Sequence, residues 1–135
     1  MTSHQTAIIT GASSGIGLGL TTALIEHGYR VVANSRQITT AGTLTPSADL
    51  ALLDGDIAHP ETARNLVETA MRRFGSVDLL VNNAGIFIPK PFTDYTTEDF
   101  DRLVSTNLAG FLYVTQQAVR QMRTQGAGHI VNITT

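Results

Sequence analysis

The sequence predicts an α/β protein built on an open parallel sheet, and three features carry that prediction. Short apolar runs alternate with longer segments of helical periodicity, the pattern of β-α-β units. A glycine-rich turn, TGASSGIG from Thr10 to Gly17, joins the first apolar run to the first helical pattern. Residues ill suited to a strand or a core follow each run, at the strand ends where such sheets gather their ligands.

The elements follow in order. Thr6 to Thr10 (TAIIT) is a first strand, rich in β-branched residues. Ile16, Leu20, Ala23 and Leu24 then recur at helical spacing until Gly28, where a left-handed residue would end the helix. Arg30 to Asn34 (RVVAN) is the second strand. Between Ser35 and Asp49, Gly42, Pro46 and a series of threonines argue for an irregular crossover rather than a helix. Leu50 to Leu53 is the third strand. His59-Pro60-Glu61 opens a helix, with proline at N1 and an acid in the first turn. Its apolar face carries Ala63, Leu66, Val67, Ala70, Met71 and Phe74, and it stops at Gly75. Val77 to Val81 (VDLLV) is a fourth strand, apolar enough to be covered on both faces. A long helix is expected from Thr97 to Arg123, capped among Thr96, Thr97, Glu98 and Asp99, and His129 to Thr134 forms a fifth strand.

Composition narrows the function. A chain of 135 residues with 42% hydrophobic content suits one domain with a real core. A net charge of -2, with acids and bases scattered, leaves no stripe for nucleic acid. There is no cysteine, and His4, His27, His59 and His129 are too dispersed for ligand spacing, so no metal site is expected. No basic leader and no apolar run near the ~20 residues of a bilayer span is visible, which makes a cytoplasmic protein without a membrane partner the expectation.

The glycine-rich turn points to an anion. Gly11, Gly15 and Gly17 lie where a strand reverses into a helix, and their missing side chains let backbone amides approach a pyrophosphate at the positive helix terminus. The spacing is Gly-x-x-x-Gly-x-Gly, with no Lys-Ser/Thr after it, so a P-loop is excluded.

Further motifs follow in order: NNAG (Asn82 to Gly85), STNLAG (Ser105 to Gly110) and GHIVNITT (Gly128 to Thr135). With TGASSGIG they closely resemble the short-chain dehydrogenase/reductase family, from residue 6 to residue 135. The resemblance implies a Rossmann-like doubly wound sheet of strand order 3-2-1-4-5, here ending before a sixth strand. It implies a nicotinamide dinucleotide as cofactor and hydride transfer to or from an alcohol or carbonyl substrate. Its diphosphate would rest on Gly11, Ser13, Ser14, Gly15, Ile16 and Gly17. Asp56 would accept from the adenine amino group beside the Ile57 backbone, and Asn83, Ala84 and Gly85 would pass under the ribose. Ser35 stands where NAD-preferring relatives carry an acid, and Arg36 follows it, so NADP(H) is expected over NAD(H).

For catalysis the resemblance implies Asn107 as the holder of a relay water, while an asparagine within a helix also often marks a bend. Thr135 falls on the position of the family's serine. The Tyr-x-x-x-Lys turn is absent: Tyr29, Tyr95 and Tyr113 precede Ala33, Asp99 and Gln117 by four, and the sole lysine, Lys90, sits between prolines in a loop. The expectation is therefore the cofactor-binding half of an oxidoreductase, inactive alone and with an uncovered edge strand. Asn82 is expected to tie strands together. Family members commonly pair through the long helix, so a homo-oligomer through residues 97 to 123 is implied. A noncatalytic dinucleotide-binding or interaction module is the competing reading. An adenine-cofactor methyltransferase would want an acid where Ser35 and Arg36 stand.

Overall fold

The structure, a computed structural model, describes residues 4–134. Strands β1 (Thr6–Thr10), β2 (Arg30–Ser35), β3 (Leu50–Asp54), β4 (Leu79–Asn82) and β5 (His129–Asn132) form one sheet in the order β3-β2-β1-β4-β5. All four pairings are parallel. The order reverses beside β1, because the chain runs outward to β3 and then crosses back to β4. That reversal opens a crevice at the carboxyl ends of β1 and β4.

Helices cover both faces. In β1 alternate residues point to opposite sides: Ile8 joins Val32, Leu66, Leu80 and Val114, whereas Ala7 and Ile9 join Val31, Ala33 and Val81. Helices α2 (Pro60–Phe74) and α4 (Phe111–Gln125) pack on the first side, and α1 (Gly15–Glu26) on the second through Leu20, Leu24 and Ile25. Burial on both sides is why β1 and β2 read as nearly unbroken apolar runs. Gly28, at φ +88, follows the end of α1 as expected, and residues 36–46 form turns and bends without a helix.

Several boundaries differ from the sequence reading: β5 ends at Asn132 rather than Thr134, β2 and β3 each run one residue further, and two larger differences have a visible cause. The fourth strand begins at Leu79 rather than Val77, because the backbone of Val77 is engaged by a side chain. Its N–H donates to Gln125 Oε1 (2.8 Å) and its carbonyl accepts from Gln125 Nε2 (2.9 Å). The long helix is interrupted: α3 (Thr97–Val104) leads into a π-helical segment, Ser105–Gly110, before α4 continues to Gln125. Thr96 and Asp99 form the capping box that starts α3. The wide turn puts Asn107 against Ile86 and Gly110 against Ile57, where an added Cβ would lie 2.7 Å from Ile57 Cδ1. Of the apolar residues on this helix, Val114 and Met122 are buried, whereas Leu108 and Leu112 stay exposed. Among the described residues no helix is long and apolar enough to cross a membrane.

Candidate functional site

At the end of β1 the chain turns through Gly11, at φ +65, a conformation that favours glycine. A Cβ there would also lie 2.8 Å from Ala84 Cα, so the turn and the loop after β4 touch backbone to backbone. Gly17 is tighter still: its Cβ would meet Gly11 O at 2.2 Å. Helical bonding in α1 begins with Leu18 N–H to Ser14 O (3.2 Å). The first turn holds no acid and Ser14 makes no side-chain cap. The amides before Leu18 therefore present uncapped donors at the positive end of the helix.

Asn34 and Gly55 tie the ends of β2 and β3. Asn34 Nδ2 donates to Leu53 O (3.0 Å) and Gly55 O (3.1 Å), and Gly55 N–H donates to Ser35 O (3.1 Å). Beyond β3, Asp56 Oδ1 accepts from Ala58 N–H (2.9 Å), which closes a local turn. The N-cap of α2 is His59, so Asp56 shapes the approach to the helix rather than capping it. Thr62 Oγ1 donates to Asp56 O (2.7 Å), and Ile57 is buried against Gly110.

After β4, Thr10 Oγ1 accepts from the N–H groups of Asn83 (3.1 Å) and Ala84 (3.0 Å). Asn83 Nδ2 returns bonds to Thr10 O (3.2 Å) and Gly11 O (3.1 Å). Asn82 Nδ2 donates to Thr115 Oγ1 (3.0 Å) and Asn132 Oδ1 (3.1 Å), linking β4 to α4 and β5. The Asn107 carboxamide grips one residue twice: Oδ1 accepts from Ile86 N–H (2.8 Å) and Nδ2 donates to Ile86 O (3.0 Å). In the same loop Lys90 Nζ pairs with Asp99 Oδ2 and lies over the Tyr95 ring, and the Tyr95 hydroxyl donates to Ile88 O. Lys90, followed by the Thr96 amide, holds the Asp99 carboxyl below the usual range. Lys90 does not line the crevice.

These strand ends enclose a cavity of about 530 Å³. Gly11, Ser13 and Ser14 line it from the first turn, Ser35 and Arg36 from the end of β2, Asp56 and Ile57 from beyond β3, and Asn83 to Gly85 from beyond β4. Gly15, Ile16 and Gly17 do not line it: Gly17 is buried beneath the turn, and the Ile16 side chain is 61% exposed. Asn107 is also outside the lining, though its Oδ1 would lie 3.3 Å from a Cβ at Gly85. Thr135 lies outside the described residues.

The sequence reading missed Asp101, Arg102, Ser105 and Thr106, which also line the cavity, and Thr10, whose hydroxyl orders the NNAG amides. Arg102, Ser105 and Thr106 recur at three- and four-residue spacing, a signal that one helical face was polar but not what it faced.

The sequence pattern of the short chain dehydrogenase family matches residues 5–135. An uncharacterized oxidoreductase of Staphylococcus aureus (strain USA300) is 31% identical over 132 residues, 96% of this chain and 57% of the relative. One from Staphylococcus haemolyticus (strain JCSC1435) is 36% identical with the same coverage. The crystal structure of a short-chain dehydrogenase from Streptomyces avermitilis superposes over 100% of this chain and 50% of its own, at a TM-score of 0.91 and 28% identity. The chain thus spans just over half the length of the curated relatives it matches. Sheet order, glycine cradle and sequence similarity agree, and the chain belongs to the short-chain dehydrogenase family.

Proposed function

We propose that the chain binds a nicotinamide dinucleotide, NADP(H) in preference to NAD(H). It would serve as the cofactor-holding part of an oxidoreductase acting on an alcohol or carbonyl substrate. The observation that carries this reading is the crevice itself: the turn before the uncapped end of α1 and Arg36 line one cavity, with a serine instead of an acid at the end of β2. The fit of a diphosphate is supported by the cradle at Gly11, where any Cβ would strike Ala84 and close the approach. Gly11, Ser13, Ser14, Gly15, Ile16 and Gly17 would hold the diphosphate. Ser35 and Arg36 would meet the 2′-phosphate, Asp56 and Ile57 the adenine, and Asn83 to Gly85 the ribose. When bound, the dinucleotide supplies the hydride chemistry.

The chain's own residues orient and relay. Asn107 fixes the Ile86 backbone and keeps one N–H and one lone pair free, enough to hold a water for proton relay. The Thr135 hydroxyl would bind the substrate oxygen in place of the family's serine. The 135 residues contain no Tyr-x-x-x-Lys turn. Absence of a positioned general acid costs about 10² to 10⁴ in rate, so the chain alone binds nucleotide without useful turnover. The second reading is a noncatalytic dinucleotide-binding module, in which supplying the tyrosine and lysine on another polypeptide restores nothing. The exposed Leu108 and Leu112 support pairing of the whole protein through residues 97 to 123.

Calorimetric titration with NADPH and NADH tests the reading. Arg36→Ala should weaken NADPH by roughly ten- to a hundredfold, the range of one hydrogen bond to a charged group, and leave NADH nearly unchanged. Equal losses for both, or no heat with either at millimolar concentration, would overturn it.

A further inference from the structure

A second cavity, of about 520 Å³, shares Ser13, Ser35 and Arg36 with the crevice and is walled on its far side by Gln37, Thr40 and Ala41. That wall belongs to residues 36–46, which form neither helix nor strand yet are tied down at three points. Ile38 is fully buried in the core on the α1 side. Thr43 Oγ1 donates to Ser13 O (2.9 Å), joining the wall to the glycine-rich turn. Asp54, the last residue of β3 and the register partner of Ser35, accepts both the N–H (2.9 Å) and the hydroxyl of Thr39.

The placement of Asp54 is unexpected beside an anion site. Asp54 lines neither cavity, and a carboxylate one strand from Ser35 offers a phosphate no favourable contact of its own. Both of its oxygens are turned to Thr39, whose hydroxyl and then amide hold the carboxyl below its usual range. Arg36, by contrast, is exposed and has no hydrogen-bond or ion-pair partner among the described residues. Its direction is left to the backbone that carries it, and that backbone is pinned three residues later at Thr39.

We propose that Asp54 is a positioning residue for dinucleotide discrimination: by gripping Thr39 it holds Arg36, Gln37 and Thr40 around a subsite for the phosphate monoester on the ribose 2′ carbon. The role rests on the NADP(H) reading above and adds to it a residue that touches no ligand. Its effect is preorganisation. A pinned loop presents the guanidinium without first losing conformational freedom, whereas an unpinned one must be ordered when the phosphate arrives.

The test uses the full chain, adenosine 2′,5′-bisphosphate as probe and AMP as the control that lacks the 2′-phosphate. Both are titrated by calorimetry, with far-ultraviolet circular dichroism to verify folding. Asp54→Ala should weaken the bisphosphate by about tenfold, the range expected for lost preorganisation at one charged contact, and move AMP by less than about twofold. Thr39→Val, at an exposed position outside the core, should act in the same direction, and the double variant should be no weaker than Asp54→Ala. The valine variant also carries the test if Asp54→Ala does not fold. Bisphosphate and AMP weakened alike would reduce Asp54 to a structural residue. An unchanged or tighter bisphosphate would overturn the proposal, the tighter case marking Asp54 as a repelling charge. A wild-type chain that does not distinguish the two probes would remove the NADP(H) reading and this inference with it. A wild-type preference that the folded variants retain would remove only the role of Asp54.

Discussion

Replacing Gly17 by alanine tests the cradle where it is tightest. The new Cβ would lie 2.2 Å from Gly11 O, 2.6 Å from Asn83 Nδ2 and 2.9 Å from Gly11 C, all short of ordinary van der Waals contact. The obstruction at Gly11 is backbone, so it cannot be relieved by a rotamer change. Inserting a methyl group into such a contact costs about 1 to 3 kcal/mol. Separating Asn83 Nδ2 from Gly11 O forfeits a bond of 3.1 Å, a further ~0.5 to 1.5 kcal/mol. The better helix propensity of alanine returns at most ~1 kcal/mol, so the net loss is about 2 kcal/mol. At a urea slope of about 1 to 3 kcal/mol/M the unfolding midpoint should fall by roughly 1 M. Gly19, two residues on and in the same helix, has nothing within 4 Å of its would-be Cβ. Gly19→Ala should therefore raise the midpoint, by up to ~1 kcal/mol of added stability. Dinucleotide affinity should drop for the first variant, because displacing Gly11 moves the turn before α1, and hold for the second. A Gly17→Ala chain as stable as the Gly19→Ala chain would refute the close approach on which the cradle depends.

Asn107→Ala removes both bonds to Ile86 and should loosen that loop by about 1 to 2 kcal/mol; hydrogen exchange at the Ile86 amide should quicken by roughly tenfold, and unchanged protection would show that the clamp does not hold the loop. Asp99 gives a pH prediction. Its carboxyl is depressed in the folded state, first by Lys90 and then by Thr96, so its contribution is complete above the unfolded value of about 3.9 and is lost as pH falls through the lower folded value. Lys90→Gln should flatten the acid limb of the stability profile below about pH 4, read from denaturant unfolding at several pH values. Asp54 is depressed in the same direction by Thr39 and remains as a common background, so an acid limb identical to that of the wild type would argue against the pair.

Much of the candidate site's geometry was legible because it is local. Gly11 and Gly17 announce a turn that excludes side chains, and Ser35-Arg36 announces a cation in place of an acid at a strand end. Pro60 and Gly75 mark helix limits by their own backbone preferences, and the structure keeps both. The misses have a shared origin. Val77 carries a strand sequence, yet its backbone is engaged by Gln125, a residue 48 positions away. STNLAG gives no local sign of a π-helical turn, whose geometry accompanies contacts from Asn107 to Ile86 and from Gly110 to Ile57. Arg102 on α3 and Ser105 and Thr106 in the π-helical segment reach the crevice only because that stretch is turned toward it by its packing.

Sequence alone determined the class of the protein, the order of its strands through family resemblance, and the glycine-rich turn proposed to receive an anion. Those properties depend on periodicity, on glycine's missing side chain and on residues adjacent along the chain. Tertiary structure decided which polar groups were already committed: Asn82 to Thr115 and Asn132, Asn107 to Ile86, Asp54 to Thr39. A hydrogen bond between distant residues depends on distances of a few tenths of an ångström, and those exist only once both faces of the sheet are packed.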